Sequence, residues 1–86
     1  MSVHWHEKAQ AELFWWVAND RKAALKIEKL ILDIQRNGLN KGLGKPEPLK
    51  GRKGWSRRID EKNRLIYDMD ENGEVVILAC KGHYED

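Results

Sequence analysis

A chain of 86 residues has room for one small domain, and at that length only about 60–65% of the unfolded surface can be buried, so the core must be compact. Hydrophobic residues at 41% and charged residues at 35% describe a globular rather than a disordered chain, and a single cysteine, Cys80, excludes an internal disulfide or a Cys-based metal cluster. The net charge of +2 hides an uneven distribution: residues 41–64 hold nine Lys/Arg against three Asp/Glu, the footprint of a polyanion site.

At the N-terminus Val3 and Trp5 alternate with polar neighbours, which predicts a short strand. His4, His6, Glu7 and Lys8 among those apolar residues argue against a signal peptide or membrane span, so the expected location is cytoplasmic. From about His6 to Ala18, Ala9, Leu13, Trp16 and Val17 recur at helical spacing, and Asn19-Asp20 ends that helix and can cap the next. The second helix is the clearest element: Ala23, Ala24, Ile27, Leu30, Ile31 and Ile34 form one apolar stripe, stopped by Asn37-Gly38.

Residues 38–54 carry five glycines and both prolines and are expected to be loop, unusually long for so small a domain. The period then changes to two. Trp55, Arg57 and Ile59 should face one way and Ser56, Arg58 and Asp60 the other. After a reversal at residues 60–63, Leu65 and Tyr67 oppose Arg64, Ile66 and Asp68 in the next strand. A turn containing Asn72-Gly73 leads to Val75–Cys80, apolar on both faces and expected to be a covered strand. The fold class is therefore α+β: an antiparallel twisted sheet with an N-terminal αα-hairpin on one face, in a single domain spanning 1–86.

The segment Lys45-Pro46-Glu47-Pro48-Leu49-Lys50, then Trp55-Ser56-Arg57-Arg58-Ile59, Arg64-Leu65-Ile66-Tyr67, Ala79-Cys80 and Gly82-His83-Tyr84 occur in an order and at a spacing that resemble the Txe/YoeB toxins of the RelE/ParE superfamily. The resemblance covers essentially the whole chain. It implies a RelE-like fold and the toxin of a type II toxin–antitoxin pair, an endoribonuclease (mRNA interferase) that cleaves messenger RNA on the ribosome and inhibits translation. It implies as partners a YefM/Axe-like antitoxin and the 70S ribosome with its mRNA and 16S rRNA, with no membrane, and leaves a homodimer open. By matching positions Glu47, Arg64, His83 and Tyr84 are the catalytic set, while Lys50, Arg57 and Arg58, with Trp55 as a stacking aromatic, face RNA. One departure is visible: similar toxins often stop at the His-Tyr pair, and here Glu85 and Asp86 follow.

Metal-free RNA cleavage uses the substrate's own 2′-OH as nucleophile, so it needs a base, a cation for the phosphorane charge and an acid for the departing 5′-oxygen. Glu47 between two prolines is the expected base, Arg64 the phosphate ligand, and His83 the acid, because imidazole exchanges protons near neutrality. Tyr84 is expected to contact phosphate and orient it. Seen alone, Glu47 would be an ordinary loop carboxylate and Arg64 a hairpin salt bridge to Asp60 or Glu61. No cofactor is expected. His4 and His6 lack a third ligand in the sequence, so no metal site is expected either, and Cys80 should be a buried small hydrophobe. Two rival readings remain: a toxin of the same fold that acts on DNA gyrase, disfavoured by Glu47 with His83-Tyr84, and a non-catalytic RNA- or DNA-binding module.

Overall fold

The computed structural model describes residues 2–82; His83, Tyr84, Glu85 and Asp86 lie outside the described residues. Strand β1 (Val3–Trp5) leads into helices α1 (Glu7–Asn19) and α2 (Arg21–Asn37). They are followed by β2 (Glu47–Pro48), β3 (Trp55–Arg58), β4 (Arg64–Met69) and β5 (Val75–Ala79). The strands form one sheet in the order β1-β5-β4-β3-β2.

The two helices form where their apolar periods demand it. Asp20 ends α1 and caps α2, its side chain accepting from the Ala23 N–H at 3.2 Å. Gly38, with φ +91, closes α2 with its N–H on Ile34 O. The α2 stripe of Ala23, Ile27, Leu30, Ile31 and Ile34 is buried, and each fully buried Ile or Leu contributes roughly 1.5–3 kcal/mol. It packs with Ala9 and Trp16 of α1 against Leu65, Tyr67, Val75, Ile77 and Cys80 on one sheet face. The period-two reading of β4 holds, with Leu65 and Tyr67 in that core and Ile66 buried on the opposite face.

The α+β architecture agrees with the sequence reading, with two refinements. Strand β1 pairs with β5 in parallel, Val3 opposite Val75 and Trp5 opposite Ile77, so the sheet is mixed rather than wholly antiparallel. A parallel neighbour needs a long crossover, and the helical hairpin begins one. Residues 38–54 are also not all loop: Glu47 and Pro48 add an edge strand opposite Ser56 and Trp55.

Alternation along β1 directs Trp5 toward the helices, but Val17, which shares the α1 spacing, is 50% exposed. With Leu13, Leu25 and Leu32 these residues line an apolar groove of about 530 Å³ between β1 and the hairpin. Among the described residues no helix is long and apolar enough to cross a membrane.

Candidate active site

Pairing β2 on β3 and β3 on β4 brings residues distant in sequence onto one face of the sheet. Glu47 lies opposite Ser56, and Arg58 lies opposite Arg64. Arg64 Nη1 stands 3.9 Å from Glu47 Oε2 and donates to Ser56 Oγ at 3.3 Å. The Glu47 side chain is 56% exposed and that of Arg64 20%, so the carboxylate stands in solvent above a guanidinium held partly within the sheet. An ion pair this open stabilises little. Its groups remain available to a substrate, one able to accept a proton and one able to bind phosphate. Arg64 does not make the hairpin-end salt bridge to Asp60 or Glu61 that was its plain alternative; Asp60 instead accepts from Lys62 N–H and from Asn63.

Sequence reasoning missed Ser56. It is 4% exposed, and its hydroxyl supports the Arg64 fork from below. The signal was present in the strand alternation, which set Ser56 on the face opposite Trp55 and Arg57, but the register with Arg64 was not.

The other predicted residues divide. Arg58 is exposed and borders a shallow hollow with Lys26, Lys45 and Glu61, extending the positive surface beside Arg64. Lys50 is exposed on the segment after β2. Trp55 is half-buried and packs against the core, so only part of its indole remains to stack on a base. Arg57 corrects the expectation of an RNA-facing cation. It is fully buried, and its five N–H donors are all taken. Nε donates to Tyr67 Oη at 2.9 Å; Nη1 donates to Asp33 Oδ2 and Leu43 O; Nη2 donates to Gly38 O and Lys41 O.

Arg57 therefore ties the loop after α2 to the sheet, and the loop is shaped to let it. Gly42, at φ +114, passes so close that a Cβ would sit 1.8 Å from Asp33 Oδ2. The Arg57 guanidinium holds the Asp33 carboxyl below its ordinary value, against the opposing effect of burial. Burial raises the Tyr67 phenol, whose hydroxyl donates to Leu39 O at 2.6 Å. Arg57 and Tyr67 thus satisfy the carbonyls of Gly38, Leu39, Lys41 and Leu43 in this turn, and the chain leaves it at Lys45 (φ 54) to place Glu47 on the sheet edge.

Cys80 is fully buried and its thiol is pushed up to about 12 by burial, with the Glu12 carboxylate adding to the shift, so it is no nucleophile. His4 does acquire neighbours the sequence did not suggest: Asp70 and Glu74 offer ligand atoms within 4.8 Å of it and of each other. Those carboxylates are occupied by the β4–β5 turn and the N-terminus. Asp70 accepts from Asn72 and Glu74 N–H, and Glu74 accepts from Ser2 N–H and contacts His4 Nε2, which lowers its pKa. They lie at the β1 end of the sheet order, away from Glu47 on the β2 edge.

Residues 5–84 match the family model described as a YoeB-like toxin of a bacterial type II toxin–antitoxin system. A toxin YoeB from Mycobacterium bovis is 44% identical over 85 residues, covering 96% of this chain and 98% of the relative. Among solved structures, the YoeB dimer from Staphylococcus aureus superposes with a TM-score of 0.91 at 37% identity, covering 98% of both chains. The YoeB–YefM complex from the same organism gives 0.89 at 36% identity, again covering 98% of both. Matched by that family model over residues 5–84, and sharing its fold over 98% of its length with these toxins, the chain belongs to the YoeB-like toxin family of bacterial type II toxin–antitoxin systems.

Proposed function

We propose that this toxin is a ribosome-dependent messenger RNA endonuclease that works by acid–base catalysis. The observation that carries the reading is the opposition of Glu47 and Arg64 across 3.9 Å on an open, basic face. Glu47 takes the proton from the 2′-OH as that oxygen attacks the adjacent phosphorus. Arg64 binds the non-bridging oxygens as charge builds, and His83 protonates the 5′-oxygen as its bond to phosphorus breaks, leaving a 2′,3′-cyclic phosphate and a 5′-hydroxyl. Tyr84 contacts and orients the phosphate. Each proton-transfer group is worth roughly 10²–10⁴ in rate, and oriented charge stabilisation on the order of 3–4 kcal/mol. His83 and Tyr84 enter on the family resemblance and on connectivity, since Gly82 O, immediately before them in the chain, accepts from the Arg64 N–H at 3.2 Å.

Lys50, Arg58 and the free part of Trp55 serve RNA, of the message or of the ribosome, and 70S particles are the platform that presents the strand. An antitoxin related to YefM is the second partner. That reading is supported by the S. aureus complex and by the apolar surface of Phe14, Val17, Leu25 and Leu32, each at least half exposed. The S. aureus YoeB dimer supports self-association. All of this fits a cytoplasmic protein.

Mapping transcript 5′ ends after induction tests the proposal. Codon-positioned cuts are expected with the parent chain and should vanish with Glu47→Gln, His83→Ala and Arg64→Ala, the last retaining its helical circular dichroism. DNA breaks with intact transcripts would point instead to gyrase. Neither cuts nor breaks would leave a binding module.

A further inference from the structure

The β5 ladder ends at Ala79, yet the chain beyond it is not left to water. Cys80 N–H donates to Glu12 Oε1 at 2.8 Å, and Cys80 O accepts from Trp16 Nε1 at 2.8 Å, both from α1. Gly82 is then gripped on both polar groups: its N–H donates to Asn63 Oδ1 at 2.8 Å and its carbonyl accepts from Arg64 N–H at 3.2 Å.

The Asn63 amide is itself aimed. Its Nδ2 donates to both carboxylate oxygens of Asp60 at 3.1 Å, which turns Oδ1 toward Gly82. Asp60 Oδ1 also accepts the N–H groups of Lys62 and Asn63; burial pushes its carboxyl up, but these bonds, the Asn63 amide and the Lys62 charge together hold it below the usual range. A turn closed by Asp60 on those two N–H groups needs nothing from the Asn63 side chain. That side chain reaches 19 residues along the sequence to the last link before His83.

We infer that Asn63, oriented by Asp60, is a positioning residue for the cleavage step: it fixes Gly82 on the Arg64 backbone, and with it the point from which the chain continues to His83. The inference rests on the nuclease reading above. A displacement of about 1 Å in a reacting group can cost on the order of 10²-fold in rate, so a two-point grip on Gly82 has kinetic value.

The test compares the full-length parent, Asn63→Asp, and the exchanged pair Asp60→Asn with Asn63→Asp. The single variant keeps an acceptor for Gly82 but sets two carboxylates together; the exchanged pair restores a donor between positions 60 and 63. Three quantities are read: single-turnover cleavage on programmed ribosomes, ribosome affinity, and the His83 ring signals by NMR. Asn63→Asp should cut about tenfold or more slowly, with affinity within about twofold and displaced His83 signals, and the exchanged pair should recover most of the rate. Parent-like rate and His83 signals in Asn63→Asp overturn the inference, as does a rate loss matched by an equal loss of affinity. If Asn63→Asp does not fold, Asn63→Ser, which spares the Asp60 turn, is judged by the same criteria. A parent that leaves transcripts intact refutes the nuclease reading instead. The His83 signals then decide alone whether the Asn63 grip on Gly82 is passed to the next residue: displacement supports it and unchanged signals overturn it.

Discussion

Arg57 and Arg64 carry the same side chain on neighbouring strands and end in opposite environments. Arg57 points into the core face, where a carboxylate, three carbonyls and a phenol oxygen consume its donors; Arg64 points to the other face, with one hydroxyl and a distant carboxylate. Burying a charge is tolerable only when such partners are complete, and removing one partner of a buried pair costs about 3–5 kcal/mol. Asp33→Ala should therefore lower stability by about that amount in urea titration, whereas a loss under about 1 kcal/mol would show the Arg57 carbonyl contacts to be sufficient alone. The pH dependence follows from the lowered Asp33 carboxyl. Its contribution is fully present above the ordinary value of 3.8 and is lost as pH falls through the lower folded value. Urea midpoints between neutrality and strong acid should fall steeply only below that point, and Asp33→Asn should remove part of the slope.

At the scale of elements, helix α1 does more than cover the sheet. Trp16 is buried in the core and also satisfies the Cys80 carbonyl, while Glu12 takes the Cys80 N–H and pairs with Lys8 at 3.3 Å. Trp15, one residue earlier, turns outward at 46% exposure with the Lys81 ammonium 4.4 Å from its ring centroid. The first helix and the end of the last strand therefore hold each other, a contact spanning most of the chain. Trp16→Phe preserves much of the packing but strands a buried carbonyl, and should cost about 1–3 kcal/mol with an unchanged urea m-value. An unaltered midpoint would mean that water replaces the indole at Cys80.

For the whole molecule, charge and apolar surface are divided. Of the nine cations in residues 41–64, Arg57 is buried and Arg64 sits low in the sheet, but Lys41, Lys45, Lys50, Arg52, Lys53, Arg58 and Lys62 are exposed. The groove between β1 and the helical hairpin is apolar, its polar lining among the described residues being Arg21, Glu28 and Gln35. On the nuclease reading proposed above, a small basic face with few shaped walls would attract RNA without holding it in line for displacement. Cleavage of free RNA should thus be slower than cleavage of the same message on ribosomes by at least about 10²-fold, measured with matched transcripts. Equal rates would remove the ribosome from the mechanism.

Both helices, the capping Asp20, the faces of β3 and β4 and the buried inner face of β5 followed from the sequence alone, because each depends on the spacing of apolar residues a few positions apart; the other face of β5, with Val76 and Leu78, is only partly covered. The family motif drew attention to Glu47 and Arg64, whose catalytic roles belong to the proposal, but not to their meeting across strands. Tertiary structure alone decided that β1 runs parallel to β5, that Glu47 sits on an edge strand, that Arg57 is interior, and that Ser56 and Asn63 support Arg64 and Gly82. These outcomes depend on partners brought together by long-range pairing. Arg57 meets Asp33 across 24 positions and Asn63 meets Gly82 across 19, separations at which local periodicity carries no information about whether a charge or an amide will find its complement.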